Sequence, residues 1–263
     1  MKKKLAKLIL LRFFKRENIL IKILAIINNS CSLFKNIQKF SLKYAIILIP
    51  KIIHGVYFVE HNRDEIICNK KNIHFKNKYK FNYDDWFSSN IAIWEKFINK
   101  IDTINYLEIG SFEGRSTVFI SELKNTKSIT AIDTWEGSDE HSGISFSKVF
   151  ENFKNNIIST HKSNIIFFKE SSDSFFKKNK KTYNLIYVDG SHEYSQVNKD
   201  FSNSFNCLEK NGYLICDDFN WFFYKNINKN PMKAILECYK KYNKNLSIEF
   251  LNHQIIFKKI NEV

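Results

Sequence analysis

Carboxylates stand directly after short apolar runs in the second half of this 263-residue chain. In an open α/β sheet, ligands lie beyond the carboxyl ends of the strands, so these positions are the first candidates for chemistry. Asp189 ends one run, and Asp217 and Asp218 end the next. If the two strands are neighbours, three carboxylates meet at one edge and raise one another's pKa unless a cation or a shared proton is present. Oxygen ligands suit Mg2+, Mn2+ or Ca2+, and the alternative is an acidic turn that caps the next segment.

A turn with two glycines follows an earlier apolar run, in LEIGSFEGRST (107–117). Gly110 and Gly114 flank a tight strand-to-helix turn, where a missing side chain lets a ligand approach the backbone. Phe112 takes the middle position of a GxGxxG loop and no GK[ST] follows, so neither a full dinucleotide fingerprint nor a P-loop is present. Asp133, about 20 residues further on, could accept hydrogen bonds from ribose hydroxyls, which favours a nucleoside ligand.

Three further polar residues stand at the strand ends. Ser171 and Ser172 could contact a base or cap the next helix, and their residue type favours the cap. His192 follows Asp189 by three residues. A histidine there could accept a proton from a hydroxyl, and the alternative is a histidine that only packs.

The elements that position these residues follow from the alternation of apolar runs with amphipathic stretches, which is typical of βαβ units and a parallel sheet. Apolar residues between 194 and 208 recur at steps of three and four, which predicts a helix. The last two runs are almost contiguous and must therefore pair antiparallel. The seven predicted strands are residues 106–110, 128–133, 164–169, 184–189, 213–218, 247–252 and 254–260.

Most of the net charge of +14 belongs to residues 1–50, which contain eleven Lys or Arg and one acid, Glu17. The rest of the chain is only mildly basic, which argues against nucleic acid as the partner of the catalytic body. No uncharged run reaches the ~18 to 20 residues of a spanning helix. The segment either lies on a membrane or packs on the body or on a second copy in a homo-oligomer. Its predicted helix places Ile9, Phe13, Leu20, Leu24 and Ile27 on one face and Lys4, Lys15 and Lys22 on the other.

The domain organisation predicted from these patterns is a basic helical extension (1–60), a polar connector (61–83) and a catalytic domain (84–263). The five cysteines form no CxxC pair and have no regular spacing, so neither a zinc site nor a disulfide framework is indicated. We expect reduced thiols and a cytoplasmic protein, peripheral at a membrane if the extension binds lipid.

Several of these motifs together resemble the class I S-adenosylmethionine-dependent methyltransferases, specifically the branch grouped with macrocin O-methyltransferase. The resemblance spans about residues 84–258 and implies a Rossmann-like α/β fold with a seven-stranded, mostly parallel sheet that ends in an antiparallel hairpin. The motifs are LEIGSFEGRST (107–117), AIDTWEG (131–137), YVDGSHEY (187–194) and LICDDF (214–219), and DDWFSSNIAIWEKFI (84–98) resembles the helix before the first of them.

The resemblance implies a role for each motif. The first motif would hold the methionine part of the cofactor, the second its ribose, and the two serines its adenine. The implied cofactor-binding residues are Glu108, Gly110, Ser111, Gly114, Ser116, Asp133, Thr134, Trp135, Ser171 and Ser172.

The resemblance also implies a cation and a base. Asp189, Asp217 and Asp218 match the positions that hold Mg2+ or a similar ion in the metal-dependent branch, although the catechol-type enzymes have Asn at the third position. His192 stands where those enzymes carry a lysine base, so Asp189 and His192 are the expected catalytic residues.

The expected function is methyl transfer to a hydroxyl of a sugar, glycan or other small molecule. Residues 141–150 and 219–231 are predicted to line the acceptor pocket, and an aromatic run, 221–224, could stack on a sugar face. The alternatives are a nucleic-acid methyltransferase, disfavoured by the charge distribution, and a non-catalytic protein at a membrane surface.

Overall fold

The computed structural model describes residues 21–63, 65–66, 78–138 and 141–262. The chain forms two compact units, residues 1–63 and 64–263. The described part of the first unit is helical, with α1 over residues 21–38, α2 over Leu42–Ile47 and α3 over Ile49–His61. Ser41 begins α2 because its side chain accepts a hydrogen bond from the Tyr44 backbone N–H.

Only part of the predicted amphipathic helix falls in α1. Lys22, Leu24 and Ile27 lie in α1 and are all exposed. The other predicted positions, Lys4, Ile9, Phe13, Lys15 and Leu20, lie outside the described residues. No helix within the described ranges is long and apolar enough to cross a bilayer.

The second unit is a seven-stranded sheet of order β3-β2-β1-β4-β5-β7-β6 with helices between the strands. Strands β1 to β5 pair in parallel, while β7 is antiparallel to both β5 and β6. The predicted Rossmann-like fold with a C-terminal antiparallel hairpin is confirmed. The strands are β1 Ile104–Ile109, β2 Thr126–Asp133, β3 Ile165–Lys169, β4 Tyr183–Val188, β5 Leu208–Cys216, β6 Leu246–Leu251 and β7 Ile255–Lys259. The helices are α4 Ile91–Ile98, α5 Arg115–Glu122, α6 Phe146–Thr160, α7 Ser172–Lys178, α8 Tyr194–Cys207 and α9 Pro231–Tyr242.

The apolar spacing explains how the helices pack. In α8, Val197, Phe201 and Phe205 recur every four residues and are buried, as the sequence predicts. Pro231 begins α9, where its missing N–H costs nothing and its fixed φ suits the first turn.

The position of the site follows from the strand order. Strands β1 and β4 are neighbours, and the connection from β1 leads to β2 while the connection from β4 leads to β5, in the opposite direction along the sheet. Such a reversal opens a crevice at the carboxyl ends of the two central strands, where α/β proteins bind their ligands.

Candidate active site at the carboxyl edge of the sheet

A cleft of about 320 Å³ opens at the carboxyl ends of β1, β2 and β4. This volume lies within the usual range of small-molecule sites. Seven residues singled out in the sequence line the cleft, so the strand-end argument brings them together. They are Gly110, Asp133, Thr134, Ser171, Ser172, Asp189 and His192.

The turn after β1 is held by a backbone contact that only glycine permits. Gly110 has φ +87°, and a Cβ built on it would lie 1.9 Å from the Asp189 carbonyl oxygen. The Asp189 N–H donates to the Ile109 carbonyl at 2.8 Å. The ends of β1 and β4 are therefore in direct contact. The absence of a side chain at Gly110 allows this contact, and Gly110 also lines the cleft.

Asp133 organises the same turn from the end of β2. Its Oδ2 accepts the backbone N–H groups of Ser111 and Phe112, both at 2.9 Å, and its Oδ1 accepts the Trp135 N–H at 2.7 Å. Burial raises the pKa of the Asp133 carboxyl, and the three N–H donors oppose that rise. The carboxylate still lines the cleft, where it can meet a ribose hydroxyl.

Three predicted cofactor residues line neither the cleft nor the smaller pocket beside it. Glu108 is fully buried and accepts hydrogen bonds from the Ser116 and Thr117 hydroxyls, and burial raises its pKa. Trp135 is buried in a cluster with Phe153, and its Nε1 donates to the Phe112 carbonyl.

Gly114, the third of these residues, has φ +81° and leads into α5. A Cβ there would lie 2.9 Å from the Phe153 ring. These three residues therefore support the site through packing and hydrogen bonds and do not line it.

The two serines after β3 occupy the cleft in different ways. The Ser171 side chain caps α7 by accepting the Ser174 N–H at 3.2 Å, as its residue type indicates. The Ser172 hydroxyl lies 3.1 Å from Gln196 Nε2 on α8. Gln196 and Asp200, both absent from the sequence-based set, also line the cleft.

A smaller pocket of about 50 Å³ adjoins Gly110 on the side of α5, and it is lined by Ser111, Arg115 and Ser116. Arg115 forms an ion pair with Asp85, Nε to Oδ1 3.4 Å, with both side chains 11% exposed. Its Nη1 is buried without a hydrogen-bond partner among the described residues. A guanidinium in that state can receive a carboxylate.

No role was predicted for Arg115 from the sequence. The available signal was a cation directly after the glycine turn, at the first position of a helix.

A second cluster stands at the ends of β4 and β5. His192 Nε2 lies 2.8 Å from Asp218 Oδ2 and 3.8 Å from Asp189 Oδ1. Each of these three residues offers one possible ligand atom, and the three atoms lie within 4.8 Å of one another. Asp218 has φ +54°, an unusual conformation for a residue other than glycine, which directs the chain at this point.

Asp217, the remaining predicted ligand, is held by other groups. Its Oδ2 accepts hydrogen bonds from the Tyr187 hydroxyl and from Gln254 Nε2, the latter at 2.7 Å. Gln254 Oε1 in turn accepts the Trp94 Nε1–H at 3.0 Å. The Tyr187 hydroxyl also lies 2.8 Å from Asp189 Oδ2. Because that hydroxyl has a single proton, it can donate to only one of the two carboxylates at a time.

The electrostatics of this cluster suit a cation. Burial, followed by the charge of Asp217, raises the pKa of Asp189 well above its usual value. Burial and the charge of Asp218 raise the pKa of Asp217 as well. A divalent ion would remove the repulsion that these carboxylates exert on one another, and the oxygen and imidazole donors are ones that Mg2+ or Mn2+ accepts.

Aromatic side chains flank the cleft at both ends. At one end, the Trp86 and His141 rings are stacked with centroids 6.0 Å apart, and both residues line the cleft. At the other end, Trp221 lies 4.9 Å from the His192 ring and stacks on Phe223, with centroids 5.4 Å apart and planes at 10°. The site therefore lies between two aromatic surfaces.

Comparison with known proteins assigns this architecture to a class. Residues 107–219 match a protein family described as a methyltransferase domain, and the match runs from within β1 to just past β5. The match assigns these residues to a methyltransferase domain, and the strand order of the second unit is the one expected for such a domain. The predicted enzyme class is confirmed for the domain.

A curated relative and two solved structures illustrate the range of similar proteins. The uncharacterized protein R132 of Acanthamoeba polyphaga mimivirus is 29% identical over 118 residues, which are 45% of this chain and 52% of the relative. The chain thus spans about half the length of the curated relative it matches. A Clostridium thermocellum protein described provisionally as an rRNA methylase superposes with a TM-score of 0.51 at 12% identity over 70% of this chain and all of its own. An O-methyltransferase of Bacillus cereus, solved with S-adenosylhomocysteine, has a TM-score of 0.49 at 12% identity over 75% of this chain and 90% of its own. At 12% identity the Clostridium thermocellum structure supports the fold alone.

Proposed function

We propose that the protein transfers the methyl group of S-adenosylmethionine to a hydroxyl oxygen of a sugar, glycan or other small molecule, assisted by a divalent cation. This is the activity of the macrocin O-methyltransferase-like branch that the motifs resemble. The observation that carries the proposal is that Asp189 and His192 line the same cleft as Gly110 and Asp133. The nucleoside side and the proton-accepting side of the reaction thereby adjoin one another.

The residues on the cofactor side fit an amino acid joined to a nucleoside. Arg115 would take the carboxylate of the methionine part, since it lines the smaller pocket and its buried Nη1 lacks a hydrogen-bond partner among the described residues. Asp133 would accept from the ribose, and Ser171 and Ser172 stand where the adenine would end. When bound, S-adenosylmethionine supplies an electrophilic methyl group. The protein contributes mainly by holding that group and the acceptor together.

The residues on the acceptor side fit a hydroxyl nucleophile. A neutral hydroxyl attacks poorly until a base removes its proton. His192 would accept that proton, and Asp218, whose Oδ2 lies 2.8 Å from His192 Nε2, would stabilise the imidazolium that results. Asp189 and Asp218 would hold the cation, which supplies Lewis acidity that lowers the pKa of the hydroxyl.

The aromatic pair next to His192 suggests the shape of the acceptor. The Trp221 and Phe223 rings are stacked nearly parallel, and Phe223 is 48% exposed. Such a surface can receive the apolar face of a sugar ring or a planar ring. Hydrogen bonds from Tyr187 and Gln254 hold the Asp217 carboxylate in place.

Calorimetry of the full-length chain with S-adenosylmethionine tests the cofactor assignment. We expect saturable binding with a stoichiometry of about one, and a flat titration with folded protein would rule out the proposal. Arg115→Gln should weaken this binding about 10-fold or more through loss of the charge-assisted contact.

Methyl transfer from labelled cofactor to nucleotide sugars, lipid-linked glycans and simple diols tests the acceptor class. We expect an oxygen-linked methyl group in the product by mass spectrometry, and a loss of turnover in excess chelator that Mg2+ or Mn2+ restores. An N-methylated product contradicts the hydroxyl assignment, while full turnover in chelator contradicts the cation. His192→Gln should lower kcat about 100-fold or more and remove an acidic limb from the pH profile. The exposed His161→Gln provides the control.

A further inference from the structure

Helices α2 and α3 of the first unit carry a continuous exposed apolar strip. Leu42 and Ile46 lie on α2, and Ile49, Ile53 and Tyr57 lie on α3; within each helix the spacing of four residues places them on one side. Each of the five is between 39% and 55% exposed. We call these five residues the N-terminal apolar face.

The same helices have a second apolar side that is buried. Ala45, Leu48, Ile52 and Val56 are at most 3% exposed. Packing in the folded chain therefore already uses one apolar side of α2 and α3, and the N-terminal apolar face is additional. A contiguous exposed apolar strip on a folded protein commonly marks a surface that meets a partner.

The charge around this face indicates what the partner is. Between Glu17 and Glu60 the chain contains five lysines and no acid. Glu60 is itself buried, accepts a hydrogen bond from Asn29 Nδ2 at 2.8 Å and lies 3.8 Å from Arg63. The described part of the unit therefore has cations at its surface and no exposed carboxylate.

A second copy of the chain does not complement such a surface. Two copies joined through this face would bring lysines toward lysines, without an acid between residues 18 and 59 to pair with them. An anionic lipid surface complements both properties, because it accepts apolar side chains below the headgroups and attracts lysines above them. The helices, six and thirteen residues long, suit a position along the surface.

We propose that the N-terminal apolar face docks the protein on an anionic membrane, with α2 and α3 lying in the interface and the lysines over the headgroups. Lys35 and Lys43 are exposed; Lys35 precedes the face in sequence, and Lys43 follows its first residue, Leu42. The proposal concerns the first unit alone and does not depend on the methyl acceptor.

Sedimentation of the full-length protein with phosphatidylcholine vesicles, with and without phosphatidylglycerol, tests the docking. We expect binding to the anionic vesicles that decreases at high salt. The double variant Ile46→Ser/Ile53→Ser should bind at least 10-fold more weakly, as each exposed side chain contributes hydrophobic transfer energy. Lys35→Gln/Lys43→Gln should also weaken binding, by about fivefold for each lysine.

The matched control is Ile158→Ser/Ile166→Ser, which removes two isoleucines that are 71% and 48% exposed in the second unit. This variant should bind vesicles as the wild type does. Circular dichroism and S-adenosylmethionine binding verify that the variants are folded.

Two outcomes overturn the proposal. One is that the wild type stays in the supernatant with anionic vesicles, or that Ile46→Ser/Ile53→Ser binds them equally well. The other is that light scattering shows a dimer that the same double variant dissociates while vesicles capture no protein. In that case the face joins two copies of the chain.

Discussion

The two sides of the cleft treat their buried carboxylates in opposite ways. On the cofactor side, Asp133 faces three backbone N–H donors, and Glu108 faces two hydroxyls from α5. On the acceptor side, Asp189 and Asp217 share one tyrosine hydroxyl, and the charge of Asp217 raises the pKa of Asp189. The first side is complete with the donors of the chain itself. On the second side the carboxylates repel one another, and a cation or a proton would reduce this repulsion. We therefore expect the dependence of turnover on pH and on metal to come from the acceptor side.

The largest effect on stability is expected at the backbone contact between Gly110 and Asp189, which joins the two sides of the cleft. Gly110→Ala places a Cβ 1.9 Å from the Asp189 carbonyl oxygen, and only a movement of the backbone can relieve this clash. We expect a loss of more than about 4 kcal/mol in the free energy of unfolding, measured by denaturant titration.

Gly143→Ala is the matched control for this variant. Gly143 has a similar φ, +80°, but no atom of the described residues lies within 4 Å of the position that a Cβ would take there. Its cost should be only the backbone strain of about 1–2 kcal/mol. Equal costs at the two glycines would show that the contact with Asp189 does not determine stability.

The next largest effect is expected on turnover, from a change on the acceptor side. Asp218→Asn removes one charge from the cluster and the carboxylate that faces His192. We expect kcat to fall about 1000-fold, with cofactor affinity changed less than about threefold, because Asp218 is not part of the cleft wall that would meet the cofactor. Asp102→Asn, an exposed acid just before β1, should leave both quantities unchanged. A parallel loss of cofactor binding at Asp218 would mean that the two sides are not separable.

A smaller effect is expected on the satisfied side. Asp133→Asn replaces one oxygen that accepts N–H groups with an amide that donates, so at least one backbone donor loses its partner. We expect a cost of about 2 kcal/mol in stability and about 10-fold weaker cofactor binding. The dependence of turnover on the cation should persist, and its disappearance would contradict the division of roles.

The smallest expected effect concerns Asp200, a buried carboxylate that lines the cleft between the two sides. Burial raises its pKa to about 6. The folded chain therefore binds this proton more tightly than the unfolded chain, so the contribution of Asp200 to stability is greatest below pH 4 and declines as the pH rises toward 6.

Asp200→Asn should remove this decline. At pH 8 the variant should be about 1 kcal/mol more stable than the wild type, since the lost contacts with Gln196 offset part of the gain. At pH 4 it should be no more stable than the wild type. Denaturant titrations of both proteins at the two pH values measure the difference, and a difference that does not vary with pH would contradict the assignment.

The sequence predicts the central strands well because burial of both faces leaves a continuous apolar signal, and the edge strand β3 has an apolar run although most of its residues are exposed. All seven predicted runs fall on strands, and the hairpin of β6 and β7 follows from their short separation. Strand β5 is the instructive exception, because it begins at Leu208 and not near Tyr213. In its first half only Leu208 pairs with β4, opposite Tyr183, and the polar residues 209–212 fall in an irregularity of the register that hydrophobic patterns do not detect.

The site was predictable to the level of strand ends but not of side-chain direction. Asp217 and Asp218 are adjacent, yet one carboxylate turns to Tyr187 and the other to His192. The left-handed backbone at Asp218 accompanies this division. Aspartate tolerates that conformation more readily than most residues, but its presence in a sequence does not predict it.

Trp135 shows the same limit. Its neighbour Thr134 lines the cleft, while Trp135 itself packs against Phe153 in the core. Which of two consecutive residues faces a ligand depends on local dihedral angles that a motif does not contain.

The backbone contact between Gly110 and Asp189 also bears on how such an enzyme could diversify. Main-chain atoms of adjacent strands determine the spacing between the two sides of the cleft, so substitutions among acceptor-facing side chains leave that spacing unchanged. The loop that carries Trp221 and Phe223 can therefore vary and select new acceptors, while the geometry of transfer is inherited intact.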